Sequence, residues 1–288
     1  MDDRSKREAI ALYDRFTHEG LDRRVFMSRM VALAGSAAAA EALVGSIAAS
    51  PAAAAIVPTD DPRLTTRTML FDNPGGYRAY VAEPRSRSLK ATVLVIHENR
   101  GLNDHIRDVA RRLALAGHRA VAPDFLSLAG GTPADEDQAR DMIGKLDLTA
   151  ATQAGVAMVD ALTGSSRGGK VGGVGFCWGG AYVNRLAVNA GDRLDAGVVF
   201  YGTAPDPAEA ARVEAPLLVH LAGLDERVNR TGFPWVTALR AAGKPVTFHL
   251  YEGANHAFHN DTSAERYDKA AADLAWQRTL RFFTRHLR

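Results

Sequence analysis

The sequence predicts an α/β fold with a mostly parallel central sheet and helices on both faces, and three observations point there. Short continuous apolar runs such as Ala91–Ile96 and Ala196–Tyr201 read as strands covered on both sides. Between such runs lie stretches with apolar residues at helical spacing, for example Ile106, Val109, Ala110 and Leu113. The run Lys170–Phe176 ends in Gly175-Phe176-Cys177-Trp178-Gly179 and passes at once into a helical stretch, a very tight strand-turn-helix. With 288 residues, 47% hydrophobic and 24% charged, the chain can form one large domain plus an appendage. A formal net charge of +2, with Lys and Arg scattered, argues against a nucleic-acid surface. Cys177 is the single cysteine, which excludes an intrachain disulfide and a cysteine metal cluster.

Residues 1–57 differ in composition from the rest. Leu21-Asp22-Arg23-Arg24-Val25-Phe26-Met27 places paired arginines before an apolar pair, Met30 to Ala40 is alanine-rich and mildly apolar, and Ser50-Pro51-Ala52-Ala53-Ala54-Ala55 offers small residues for processing. This resembles a twin-arginine export leader, removed or disordered in the folded protein, and implies a periplasmic or exported location and use of the twin-arginine machinery. Glu41 interrupts the apolar run, so no stable membrane span is expected. The alternative is an ordinary amphipathic helix over Tyr13–Met30 in a cytoplasmic protein.

Residues 58–288 are expected to form the catalytic domain. Thr68–Phe71 and Tyr77–Glu83, split by Asn73-Pro74-Gly75-Gly76, read as an antiparallel hairpin at one sheet edge. The strand Ala91–Ile96 follows, then a helix capped by Asp104 and ended by Gly117, then the strand Ala120–Pro123. Such alternation implies right-handed βαβ units. Ala134–Lys145 reads as charged, partly helical cap material and Ala151–Leu162 as a helix. After the tight turn, Ala196–Tyr201, Pro216–Leu221 and Val246–Tyr251 are strands, with a helix over Gly232–Ala242. A terminal helix from Ala264 carries Trp276, Leu280, Phe283 and Leu287.

The turn at Cys177 has the form of a nucleophile elbow, whose sharpness requires glycine at Gly175 and Gly179 and lifts the central side chain to the carboxyl edge of the sheet. There the sulfur meets the amino end of the next helix, which favours a thiolate and a nearby oxyanion. In α/β-hydrolases an acid and then a His follow the nucleophile in the chain, on loops after later strands. Asp225 follows the strand Pro216–Leu221 and His256 follows Val246–Tyr251, so both fall on the edge that carries Cys177. Cys177 is then the nucleophile, His256 its ion-pair partner and proton donor, and Asp225 the group that orients the imidazole. The N–H groups of Trp178 and Asn99 are the candidate oxyanion donors. His256-x-x-His259 has no third ligand nearby, and His97 fits a hydrogen-bonding role, so no metal and no cofactor are expected. Trp178 and Tyr201 are candidates for the pocket wall.

His97-Glu98-Asn99-Arg100-Gly101-Leu102, the elbow, Gly223-Leu224-Asp225 and His256-Ala257-Phe258 together resemble the dienelactone hydrolase (carboxymethylenebutenolidase) family from about residue 65 onward. The resemblance implies that Glu98 contacts the nucleophile and helps switch it between inward and outward positions. It also implies two arginines that grip a substrate carboxylate, at positions that fall near Leu128 and at Asn260. Neither residue is cationic, so the pocket is expected to favour neutral or differently charged substrates unless Arg100 or Arg227 substitutes. The expected activity is hydrolysis of a small-molecule ester or lactone with water as second substrate. The alternatives are a broader carboxylesterase or thioesterase, or a catalytically idle scaffold.

Overall fold

A computed structural model of the chain describes residues 2–48, 55–72, 75–85, 89–164 and 169–288. Asn73 and Pro74 of the expected hairpin turn, and residues 50–54 of the expected processing stretch, lie outside the described residues. The strands are β1 (Leu64–Phe71), β2 (Tyr77–Pro84), β3 (Thr92–Ile96), β4 (Arg119–Pro123), β5 (Val171–Phe176), β6 (Ala196–Phe200), β7 (Leu217–Ala222) and β8 (Val246–Tyr251). The helices are α1 (Asp3–His18), α2 (Arg23–Ala34), α3 (Ala37–Ile47), α4 (Asp104–Leu115), α5 (Glu136–Gly144), α6 (Leu148–Thr163), α7 (Trp178–Ala190), α8 (Glu226–Ala241) and α9 (Lys269–His286).

The strands form one sheet in the order β1-β2-β4-β3-β5-β6-β7-β8. β1 and β2 pair antiparallel at one edge and β2 runs antiparallel to β4, while β3 to β8 are mutually parallel wherever they pair. Strand periodicity sends alternate side chains to opposite faces. Val93 and Val95 of β3 join Ile106, Val109, Leu113 and Phe283 from α4 and α9 on one face. Leu94 and Ile96 join Met158, Val183 and Trp235 from α6, α7 and α8 on the other. The chain therefore has the expected α/β-hydrolase architecture. Several helix starts differ from expectation: α4 is capped by Asn103, with Asp104 its first residue, and α6 begins at Leu148 rather than Ala151. α8 begins at Glu226 rather than Gly232, because the Asp225 carboxylate accepts the Val228 N–H at 3.1 Å and caps the first turn. α9 begins at Lys269 rather than Ala264, behind a cap in which Asp268 accepts the Ala271 N–H.

The described part of residues 1–57 forms three helices. α1 is capped by Asp2, α2 by Asp22 and α3 by Ser36, and Gly35 ends α2 in the left-handed conformation. Ile10, Tyr13, Phe26, Met30 and Ile47 bury together as a small separate core, with the Phe16 and Phe26 rings stacked at 4.3 Å. The expected single helix over Tyr13–Met30 is divided between α1 and α2, with Gly20 at φ 70° in the break. Among the described residues no single helix is long and apolar enough to cross a membrane; α2 and α3 meet that test only together, bent by 105°.

This unit lies on the catalytic edge of the domain. Arg266 donates to Asp14 at 3.4 Å and, with Ser263, to the Ile47 carbonyl at 3.1 and 2.6 Å. Arg100 donates to the Tyr13 hydroxyl at 2.8 Å, and Lys6 pairs with Glu265. The guanidinium of Arg140, on α5, lies over the Phe16 ring at 4.7 Å. Arg23 pairs with Asp137 on the same helix at 3.0 Å.

Candidate active site

The elbow is as tight as the glycine pattern requires. Cys177 has φ 55° and ψ −113°, and its N–H donates to the Phe200 carbonyl at 3.0 Å. A Cβ on Gly175 would collide with the Gly179 carbonyl, and one on Gly179 with the Ile96 and His97 carbonyls. Among the described residues, three non-glycine residues have positive φ: Cys177, Tyr201 and Ala257, which is next to His256. Backbone strain thus collects around one point at the carboxyl edge of the sheet. Trp178 opens α7, and first-turn N–H groups have no partner within their own helix.

β7 and β8 deliver the other two groups. His256 Nδ1 donates to Asp225 Oδ2 at 2.5 Å, and both residues are buried. Burial alone would depress the His256 imidazolium, but Asp225 and the Cys177 sulfur outweigh it and raise the group to about 10. Burial works against the Asp225 carboxylate too, yet His256, Arg227 and the Val228 N–H hold it below the usual range. Asp225 thus fixes Nδ1 as the protonated nitrogen and leaves Nε2 directed at the thiol side.

Glu98 lies buried beside this group. Its Oε2 accepts from Asn260 Nδ2 at 2.8 Å, while Oε1 has no hydrogen-bond partner. Asn260 itself is fully buried and its Oδ1 accepts from Thr262, so it holds Glu98 and does not face substrate. Leu128 is 63% exposed and packs beside Gly76, away from the cavity wall. Neither of these two residues is in the wall of the cavities beside the thiol. Arg100 reaches the edge of the site but is committed to Asp137 at 3.1 Å and to Tyr13. The Tyr201 hydroxyl is buried without a hydrogen-bond partner, and the residue lines the cavity. Asn99 also lines it, with its side chain donating to the Thr17 carbonyl at 3.4 Å. His97 is part of the loop scaffold: Nδ1 donates to the Glu98 carbonyl, Nε2 accepts the Phe125 N–H, and the ring stacks on Trp178. His259 packs between Phe176, Phe200 and Trp276.

A cavity of about 300 Å³ opens beside the thiol, with Thr17, His18, Arg140, Cys177, Trp178 and Arg227 in its wall. Its mixed lining suits a small organic molecule. Sequence reasoning did not place Thr17, His18 or Arg140 there. Arg140 lies in the stretch expected to be cap material, and α1 in the stretch expected to be a leader. The cavity is not free of positive charge: Arg140 is paired with Asp137 and Asp141, but Arg227 has no ion pair among the described residues and its Nε is unpartnered. His18 closes the far side of the thiol, its Nε2 3.9 Å from Cys177 Sγ and its ring 4.9 Å from that of His256. Burial, then the neighbouring His256 and Arg227, push the His18 imidazolium well below its ordinary value, so the ring is neutral.

Comparison with known proteins agrees with this architecture. Residues 77–287 match the model of the dienelactone hydrolase family. A protein of Saccharolobus solfataricus named "Putative carboxymethylenebutenolidase" is 31% identical over 258 residues, covering 76% of this chain and 98% of its own. A namesake from Escherichia coli K12 is 32% identical over 257 residues, covering 83% and 94%. The crystal structure of a dienelactone hydrolase homologue from Klebsiella pneumoniae superposes with a TM-score of 0.68 at 27% identity, over 77% of this chain and 98% of that one. With the elbow, the strand order and a match over most of its length, the chain belongs to the dienelactone hydrolase family and is a hydrolase.

Proposed function

We propose that Cys177, His256 and Asp225 act as a triad that hydrolyses a carboxylic ester or lactone. The observation that carries this reading is the Asp225–His256 hydrogen bond of 2.5 Å set beside a cysteine held in a strained elbow. A thiolate at Cys177 attacks the substrate carbonyl carbon, and the C=O electrons move to oxygen. In this reading the N–H groups of Trp178 and Asn99 receive that oxyanion. The C–O bond then breaks as His256 gives its Nε2 proton to the leaving alkoxide, which leaves a thioester on Cys177. His256, now neutral, takes a proton from water as the water attacks the thioester, and the acid leaves with thiolate and imidazolium restored. Glu98, held by Asn260 with one oxygen unpartnered, supports a role in steering the sulfur between positions.

Rapid mixing with a p-nitrophenyl ester tests this reading. A burst of p-nitrophenol equal to the enzyme concentration is expected, and Cys177→Ala should lose at least ~1,000-fold in rate while keeping its circular dichroism. A variant that retains more than a few per cent of wild-type rate would mean that another residue is the nucleophile.

We also propose that Arg23-Arg24 serves as a twin-arginine address for export. The paired arginines before Val25-Phe26 support it, and both side chains project from the first turn of α2, where Asp22 caps the helix.

A further inference from the structure

We propose that His18, Cys177 and His256 form an inhibitory site for a borderline-soft divalent cation, with Zn²⁺ as the fitting ion. One ligand atom from each of the three residues lies within 4.8 Å of the others. Ligand atoms around a tetrahedral zinc sit roughly 3.3–3.7 Å apart, so shifts of about 1 Å close the set around a metal. The Cys177 Sγ to His18 Nε2 distance is already 3.9 Å. One thiolate and two imidazoles are the donors that zinc prefers, and the fourth position opens on the cavity.

Two further observations fit a metal better than a plain pocket wall. His256 is 2% exposed, and its Nε2 has no hydrogen-bond partner in this arrangement. Its Nδ1 donates to Asp225, which is the outer carboxylate that metal-bound histidines use to fix tautomer and ring angle. The third ligand exists only because α1 is docked on the domain, through Tyr13, Asp14 and the Thr17 carbonyl. Binding replaces the proton on His256 Nε2 with the metal and leaves the thiolate as a ligand, so one proton is released and no electron is transferred. A thiolate so held is a poorer nucleophile toward a carbonyl and is alkylated more slowly.

Cobalt(II) added to the full-length chain provides a readout that does not depend on turnover. The expected result is intense visible absorption of a tetrahedral centre together with a thiolate-to-cobalt charge-transfer band, both lost when Zn²⁺ displaces the cobalt. Iodoacetamide treatment of the unmutated chain should abolish the charge-transfer band. His18→Ala and His18→Gln should each weaken the metal by more than ~10-fold, since even changes outside the ligand set cost a site about 10- to 100-fold. Zn²⁺ should slow alkylation of Cys177 in the wild type and do so more than ~10-fold less effectively in both variants. A weak octahedral spectrum without charge transfer would overturn the proposal as an adventitious ion only. Equal affinity in wild type and His18 variants would overturn it as well, because the pair of Cys177 and His256 would then be acting without α1. A chain with no esterase activity but with this spectrum would sink the hydrolytic triad and leave the metal site standing.

Discussion

Cys177 sits between two regions that are built by different means. On one side the parallel sheet holds it: β5 sets its height, the elbow glycines its angle, and β7 and β8 bring Asp225 and His256 to it on adjacent loops. Each of these placements follows from strand order, and the backbone hydrogen bonds of the sheet make them hard to move. On the other side lies the three-helix unit α1–α3, which has its own small core and meets the domain chiefly through polar side chains. The sheet therefore fixes the placement of Cys177, Asp225 and His256, while Thr17 and His18 of the helical unit form part of the cavity wall beside the thiol. A separable contact of that kind can be loosened without moving those three residues.

The sharpest test of the sheet side is Asp225→Asn. The amide cannot hold an imidazolium as the carboxylate does, so a fall in kcat of about 10²- to 10⁴-fold is expected, by analogy with the loss of the triad acid in serine hydrolases. The pH profile adds a sign. In the wild type His256 is raised to about 10, so the rate should hold through neutral pH and fall as pH rises through that value. Removing Asp225 takes away the larger of the two favourable neighbours, and the alkaline limb should move to lower pH. A similar argument covers stability: a group raised from 6.5 to about 10 contributes fully below 6.5, and that contribution is lost as pH rises toward 10. Denaturant midpoints measured from neutral to alkaline pH should decline in wild type and stay flatter in Asp225→Asn. An alkaline limb unmoved by the substitution would detach Asp225 from the proton on His256.

Arg227 tests what the cavity selects. Its guanidinium lies in the wall without an ion pair among the described residues, which makes it the arginine to test as the substitute for the missing carboxylate clamp. A charge-assisted hydrogen bond contributes about 1.5–3 kcal/mol, so Arg227→Ala should lower kcat/KM for a carboxylate-bearing lactone about 10- to 100-fold relative to a neutral lactone of the same size. Equal losses for both substrates would mean that Arg227 acts through Asp225 rather than on the ligand.

The difference between the regions is also the difference in what could be read from sequence. The strands, the elbow and the order Cys177, Asp225, His256 were legible because parallel sheets follow local patterns and fixed topology. The roles of Asn260 and Leu128 were not: position relative to a motif does not say that a side chain turns inward to hold Glu98 or outward to solvent. His18 was hidden for another reason. It meets Cys177 across 159 positions of chain, through a tertiary contact that no spacing encodes. Its local signals were present all the same, in the caps at Asp2 and Asp22 and in the helical stripe of Ile10, Tyr13 and Thr17. The twin arginines drew the reading toward a leader, and the two descriptions are compatible in a precursor that folds before export.

Loosening the helical unit should have a smaller effect than either substitution in the site. Arg266 supports it twice, on Asp14 and on the Ile47 carbonyl, and its guanidinium lies 5.2 Å from the Tyr13 ring centroid. Removing one such set of charged hydrogen bonds costs about 1.5 kcal/mol or more, enough to raise the undocked population about tenfold. Arg266→Ala should therefore speed iodoacetamide alkylation of Cys177 by about that factor, provided the reagent reaches the thiol only when α1 lifts. If alkylation is unchanged, the 300 Å³ cavity already admits reagents freely and the helical unit is a wall rather than a gate.

The smallest effect on the folded protein is expected from Arg23→Lys combined with Arg24→Lys. Arg23 is largely exposed, and its pair with Asp137 is the kind of surface ion pair that contributes about 0–1 kcal/mol; lysine retains the charge. The double variant should keep the wild-type melting temperature to within a few degrees and the same esterase rate. Twin-arginine recognition, by contrast, depends on a receptor reading the guanidinium pair and not on charge alone, so the same variant should stay in the cytoplasm while the wild type is exported. Subcellular fractionation combined with amino-terminal sequencing reads both questions at once. Processing within about residues 52 to 57 would detach α1–α3 from the exported enzyme. It would then remove Thr17 and His18 from the cavity wall, so the exported form should alkylate faster at Cys177 than the precursor. Equal distribution of wild type and variant would reject the export address and leave the helical unit as a permanent part of the active site.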